Sequence, residues 1–485
     1  MKISKKKALI IGAGPAGLTA GIELLKSEKF AVTLVEKDAV VGGLAKTTEY
    51  KRCRYDIGPH HFITESDKIL AWWRDVMGQD FHQLKRFTRI FYNNHFFHYP
   101  LEPWNVITGL NPFQCIRAIA SYIRIRLFPI KKVTSFQDWV SNKFGRRLFS
   151  IFFKTYTEKV WGIPCDTISA DWAAQRIKGF SLSHAIFYAF FGRWFTKNKP
   201  RTINDVFYYP SRGAGTMWER VAQRITTHDD GTLFVGQEVA SIQHADGRIV
   251  AVSTRSKQAA EIYGAAQSLT RYEADYFFST MSLRNVILSL DPLPSAMVIN
   301  AAKSLAYRGL ITVNLIVNKT NVCPDHWLYI HEKSVRMGRI GNMNNFSPFM
   351  VDNPQQHTAL SLEYFTFVDE PFWFTPDDQL IELGRQELAQ TGLVKARDVI
   401  DGMVMRTADA YPVYNANYKE HLDIVLTYLG QFTNLELMGR NGLHRYNNMD
   451  VAMLSAMSAV DKVLAAQEAV MYHAPEAKSE SVFLT

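Results

Sequence analysis

Three observations predict an α/β protein. An apolar run, "ALII", turns through G-x-G-x-x-G straight into a helical stretch. A second apolar run, "FAVTLVE", ends on an acid. Between about residues 290 and 400, strand-like segments alternate with Gly and Pro breaks. Together they indicate a Rossmann-like domain joined to a helical insertion and an antiparallel-sheet domain.

The first turn follows from its glycines. Gly12 permits a tight turn after the strand, Gly14 lets a pyrophosphate approach the backbone, and Gly17 lets the helix pack close to the sheet. Pro15 and Ala16 open the helix, whose free N–H groups suit phosphate. Glu36 closes the second strand 19 residues after Gly17, where an acid can bind ribose hydroxyls, and Lys37 follows it. A second glycine turn, "VVGGLAKT", places Gly43, Leu44 and Ala45 against another part of a long dinucleotide. "YDIGPHHF" then supplies a rigid polar loop with Gly58, Pro59 and His60.

These N-terminal motifs resemble those of the flavoprotein superfamily of amine oxidases, protoporphyrinogen oxidases and UDP-galactopyranose mutases. The resemblance implies FAD as cofactor, a Rossmann-like FAD-binding domain of the GR2 type, and a second glycine turn along the ribityl–isoalloxazine region.

From about Asp67 to Phe207 apolar residues recur at three- and four-residue spacing, which predicts mostly helix. "TYTEKVWGIPC" ends a helix at Trp161 and breaks at Gly162 and Pro164. A new helix is expected after Ser169, with Arg176 inside it. The mutases carry a similar run, which implies Trp161 beside a nucleobase and Arg176 on a diphosphate. Two stretches, "NPFQCIRAIASYIRIRLFPIKK" and "SLSHAIFYAFFGRWFTKNKPR", mix aromatic and aliphatic residues with Arg and Lys. Each reads as packed helix or as a peripheral membrane contact.

"FYYPSRGAG" resembles the superfamily's re-entry segment to the FAD domain. Asp246–Gly247 marks a hairpin, and the resemblance puts Val239 against the adenine. "LITVNLIVN", "WLYIH", "GRIGNMNNF" and "ALSLEYFTF" read as strands, with Arg308, Arg336 and above all Arg339 as candidates for a ligand phosphate. Tyr411 lies in a tyrosine–proline segment similar to one that contacts substrate phosphate in the mutases. "GRNGLHRYNNMDVAM" resembles the mutase C-terminal signature at Gly439, Arg440, Tyr446 and Met449. His444 and Asn448 depart from it. A loop entering a helix leaves backbone N–H groups free, so Asn447, Asn448 and Met449 are candidates for the flavin pyrimidine edge.

The expected organisation is a discontinuous FAD domain (1–75, 208–288 and 402–470), a helical substrate or lid domain (76–207), an antiparallel-sheet substrate domain (289–401) and a tail (471–485). His60, Arg176, Arg339, Tyr411 and Tyr446 are the catalytic candidates. Trp161, Arg176, Arg339, Tyr411 and Tyr446 are the substrate contacts.

Composition narrows the class. Apolar residues make up 47% of 485, enough for several cores, and the net charge of +9 favours anionic partners, whether a small-molecule substrate such as a nucleotide-sugar or an acidic membrane surface. The basic residues are dispersed and no nucleic-acid motif occurs, so nucleic acid is not expected. Four scattered Cys with no CxxC pair fit a reducing, cytoplasmic setting. The basic-then-apolar start is broken by glycines and Pro15, so no signal peptide is expected. No metal set and no hydrolase elbow is found, so a cofactor is expected to carry the chemistry. With one G-x-G-x-x-G only, a reductant must enter the same pocket or come from a partner. The two leading readings are a mutase-like enzyme acting through flavin N5 on a nucleotide-sugar, and a dehydrogenase taking hydride from its substrate.

Overall fold

The computed structural model describes residues 5–170, 206–256 and 269–472. In chain order, strand β1 (Lys6–Ile11) leads into helix α1 (Pro15–Lys26) and β2 (Phe30–Val35). The hairpin β3 (Thr88–Tyr92) and β4 (His95–His98) precedes α2 (Pro103–Gly109), α3 (Pro112–Leu127) and α4 (Thr155–Trp161). Next come β5 (Gly231–Phe234), β6 (Gln237–Ala245), β7 (Arg248–Ser256) and β8 (Tyr276–Ser279). Then β9 (Tyr307–Val317), β10 (Trp327–Ile330), β11 (Arg339–Asn342), β12 (Thr358–Thr366) and β13 (Val399–Pro412) follow. β14 (Leu435–Leu437) and α5 (Met449–Tyr472) complete the series.

β14, β8, β1, β2 and β5 form a five-stranded parallel sheet in that order. Strands buried on both faces must be apolar throughout, which "ALII" is. Alternation sends Ala8 and Ile10 into one core and Leu9 and Ile11 into the other. Each such Leu or Ile contributes roughly 1.5–3 kcal/mol on burial. Helices α1 and α5 share the first core: Leu18 and Ala20 lie in the same cluster as Met453 and Ala456. The two ends of the chain thus meet on one face of this sheet. The hairpin β6–β7 turns at Asp246 (φ 49°) and Gly247 (φ 70°), both left-handed as its two-residue turn requires.

The second sheet has seven strands, in the order β13-β9-β12-β11-β10-β3-β4. Every residue of β9 is buried, so it is the spine of this sheet. All its pairs are antiparallel except β10 with β3, which run parallel.

Three expectations are corrected here. The stretch 76–207, expected as a separate helical domain, also holds β3 and β4, which extend the seven-stranded sheet. Asn93 and Asn94, at φ 51° and 58°, turn this hairpin. An Asn–Asn turn is a weak sequence signal between two strongly helical patterns. The boundary at 402 also fails. β13 runs unbroken from Val399 to Pro412 and pairs along β9, so 402–412 belongs to the second sheet. The sheet itself is mixed rather than purely antiparallel.

Candidate functional site

The turn between β1 and α1 is built for close approach. Gly12 has φ +100°, and a Cβ there would lie 2.0 Å from the Thr280 hydroxyl. A Cβ on Gly17 would lie 1.8 Å from the Gly12 carbonyl oxygen, so only glycine lets α1 sit this near the strand. α1 opens at Gly14 with no side-chain cap and Pro15 in its first turn, which leaves the donors of Ala16 and Gly17 for a ligand. Gly43 packs on Gly14, a Gly14 Cβ falling 3.6 Å from the Gly43 Cα. Gly43–Ala45 forms a short 3-10 turn in which Ala45 is buried, while Leu44 packs towards Trp161 and Tyr411.

Glu36 is buried at the end of β2. It accepts from the Ala13 N–H at 2.7 Å and the Asp38 N–H at 2.9 Å. Burial pushes its carboxyl up, while those backbone donors hold it down. Two further lone-pair sites remain for hydroxyl donors. The Gln237 N–H donates to the Glu36 carbonyl at 2.8 Å, which brings the start of β6, and Val239 two residues on, beside it. Lys37 points to solvent.

The C-terminal half closes on this turn. Gly439, at φ +80°, lies against α1, with its Cβ position 3.1 Å from the Ala16 Cβ. Its N–H is held by the Ser455 hydroxyl at 2.9 Å. Arg440 donates to the Asn447 carbonyl at 2.7 Å and to the Ala410 carbonyl at 3.1 Å, which ties the loop to β13. The Asn447 side chain is buried, yet its amide oxygen and nitrogen have no partner among the described residues. Leaving both unsatisfied costs roughly 1–3 kcal/mol each. Met449, buried, starts α5. Uncapped helix, contacting glycines and an orphaned amide fit a long dinucleotide lying between α1 and α5.

Beside this loop lies a cavity of about 420 Å³. Gly58, Pro59, His60, Trp161, Arg339, Tyr411, Arg440, Tyr446 and Asn448 all line it. Tyr411 and Tyr446 stack with ring centres 5.7 Å apart, and Arg440 lies 4.8 Å over the Tyr446 ring. Arg339 donates to the Tyr411 hydroxyl at 3.0 Å and pairs with Glu363. Burial pushes the Tyr411 phenol up to about 12, so it stays protonated at neutral pH. His60 falls to about 3, first by burial and then by the charges of Arg440 and Arg339, so it is neutral. Burial likewise lowers His61 to about 4 and His331 to about 3.

The arrangement corrects two phosphate-binding expectations. Arg308 is buried and spends its guanidinium on the Val160 and Phe365 carbonyls, with Glu370 alongside. Arg336 stacks 3.8 Å over Phe372 and pairs with Glu370. Arg339 does face the cavity, but Glu363 largely cancels its charge. Arg176 and the "SLSHAIF" stretch lie outside the described residues. What the sequence reading missed is Arg86, a half-buried lining residue with no recorded partner among the described residues. It sits just before β3, in the segment read as helix.

The comparisons with known proteins fall on the same parts. Residues 10–76 match the family model for an NAD(P)-binding Rossmann-like domain. Over 96% of this chain and 95% of that one, a crystal structure of reduced UDP-galactopyranose mutase superposes with a TM-score of 0.77 at 19% identity. The two share one fold. A candidate protoporphyrinogen oxidase from Exiguobacterium sp. 255-15 gives 0.72 at 14% identity, over 96% of this chain and all (100%) of that one. A triple mutant of putrescine oxidase gives 0.60 at 14%, over 95% and 99%. The shared fold extends across both sheets, not the first domain alone.

Proposed function

We propose that this chain is an FAD-dependent enzyme that takes an anionic, ring-bearing substrate of the nucleotide-sugar kind into the aromatic cavity. One observation carries the substrate class. Among the described residues, three guanidinium groups, of Arg86, Arg339 and Arg440, line the cavity, and no carboxylate does. Glu363, behind Arg339, offsets only one of them. The lining histidines are neutral and add no charge. An anion is therefore attracted, and a protonated amine repelled.

The cofactor assignment is supported by the glycine turn, Glu36 and the Asn447 amide. FAD bound there would supply a flavin ring nitrogen able to act as a nucleophile when reduced or as a hydride acceptor when oxidised. The chain's own groups do the rest. Arg86 anchors the anionic end, and Arg440, held on the Asn447 and Ala410 carbonyls, adds its charge beside it. The Trp161 and Tyr446 rings flank the substrate and exclude water. The Tyr411 oxygen accepts from Arg339, so its own proton is free to be donated into the cavity. Neutral His60 offers an acceptor.

A second reading is a dehydrogenase similar to protoporphyrinogen or amine oxidases. Among the described residues, eleven Phe, Tyr and Trp rings line the cavity, which suits a flat organic molecule. One titration separates the two. UDP should perturb the flavin spectrum, and turnover of a UDP-sugar should need prior reduction with dithionite. Anaerobic bleaching of the flavin by an organic substrate, with no response to UDP, would sink the first reading. Protein that stays colourless after incubation with FAD would sink both.

A further inference from the structure

We propose that α3 docks flat on an anionic lipid surface. The helix is firmly started: Asn111 caps it by accepting from the Gln114 N–H at 2.8 Å. It packs on the protein through Ala118 and Ile125, the two buried residues of its sixteen. The opposite face is apolar and open. Ile116, Ile119, Ile123 and Leu127 follow the helical three- and four-residue spacing and are 65%, 59%, 53% and 68% exposed, and Phe113 extends the stripe at 65%. Four large aliphatic side chains left in water on one stripe are a substantial cost for a helix that had the option of polar residues there.

The borders of the stripe identify the occupant. At 100° per residue, Arg117 and Arg124 run along one edge and Arg126 along the other. Lys131 and Lys132 follow at the C-terminal end. From Pro103 to Gln137 the chain holds these five cations and not one Asp or Glu. None of the five makes an ion pair with a described residue. An apolar stripe edged on both sides by long cationic side chains is the arrangement that sinks into the acyl boundary while its charges reach the headgroups. A second copy of the chain is disfavoured as occupant, because symmetric pairing would bring two unbalanced positive faces together. At sixteen residues α3 is about 24 Å long, too short to cross a bilayer. Among the described residues no helix is long and apolar enough to do so. The contact is therefore peripheral. Cys115, on the inner side of α3, packs in the same cluster as Ile90 and Phe152, which line the substrate cavity. Docking would set the cavity wall next to the headgroups.

The test is flotation of the full-length protein with vesicles of phosphatidylcholine, with and without phosphatidylglycerol. The protein is expected to float with the anionic vesicles only, and to be released by high salt. The triple variant Ile116→Ser, Ile119→Ser, Ile123→Ser is expected to keep its melting temperature and stop floating. Arg124→Glu with Arg126→Glu is expected to weaken binding by at least about tenfold. Wild-type protein that stays at the bottom with anionic vesicles overturns the proposal. So does flotation that neither variant reduces. A dimer in sedimentation that the serine variant splits, without lipid binding, assigns the stripe to self-association and also overturns it.

Discussion

Arg339 and Glu363 stand opposite each other on the adjacent antiparallel strands β11 and β12, and their side chains pair beside the cavity with Nε to Oε2 at 2.9 Å. The Glu363 side chain is 1% exposed and that of Arg339 13%. Burial pushes the Glu363 carboxyl up, and Arg339 pulls it back. Breaking such a pair from one side leaves a charge without compensation, at about 3–5 kcal/mol. Glu363→Gln keeps the volume and should lower stability by that order in urea unfolding. It should also tighten binding of UDP, because the freed guanidinium already faces the cavity. A variant as stable as the wild type would refute the buried pairing.

Arg86 should behave differently. It lines the cavity without a recorded partner among the described residues, so its removal should leave the fold within about 0.5 kcal/mol of wild type. A charged hydrogen bond to an anionic substrate is worth about 1.5–3 kcal/mol. Arg86→Ala should therefore raise KM by about 10- to 100-fold and leave kcat within about threefold, as expected for uniform binding. Arg86→Lys should recover part of the loss. An unchanged KM would move the anion site elsewhere in the cavity.

Gly14 and Gly17 give a matched pair of tests. A methyl at Gly14 meets the backbone of Gly43 and Gly42 no nearer than 3.6 Å, which is ordinary contact, so Gly14→Ala should fold. It should nevertheless lose FAD, by about tenfold or more in affinity, because the methyl projects where the pyrophosphate must come close. Gly17→Ala drives its methyl into the Gly12 carbonyl and should cost stability even without cofactor. Circular dichroism melts together with the flavin absorbance of the purified proteins would read both. Full FAD retention in Gly14→Ala would show that the diphosphate does not use this turn.

The reach of the sequence follows from the range of each interaction. The glycine turn, Glu36, the Asp246–Gly247 hairpin and Gly439 were legible because their constraints are local: a positive φ, a strand end, a helix start. The meeting of Gly439 with Ala16 was legible only through resemblance, since nothing local links residues so far apart. Glu363 was not legible at all. Its pairing with Arg339 depends on strand register, and a slip of one residue would point it to the other face. Arg86 and the β3–β4 hairpin were hidden for another reason. Their short aromatic strands sit between long helical patterns, and Asn93–Asn94 was the one local sign of a turn.

The buried histidines oppose folding in acid. Burial, above all, lowers His60 and His331 to about 3 and His61 and His444 to about 4. In the unfolded chain each titrates near 6.5. Above that value both states hold these rings neutral, and the fold is unaffected. As pH falls below it, the unfolded chain gains protons that the folded chain refuses, so stability is lost down to the folded values. Asp56 acts in the opposite sense. Burial raises it to about 6, against its bonds from Thr47, Tyr209 and Ala214, so between roughly 6 and 4 the folded chain gains one proton the unfolded chain does not. Burial raises Glu36, Asp325, Glu363 and Asp450 in the same sense as Asp56, and lowers His326 in the sense of the other histidines. Near pH 5 each strongly lowered histidine by itself contributes about 1.4 kcal/mol of lost stability per pH unit. Urea unfolding from pH 6.5 to pH 5 should therefore show stability falling less steeply in His444→Phe than in the wild type, by about 1.4 kcal/mol per pH unit. An identical pH slope in His444→Phe and the wild type would mean that this ring is hydrated in the native protein.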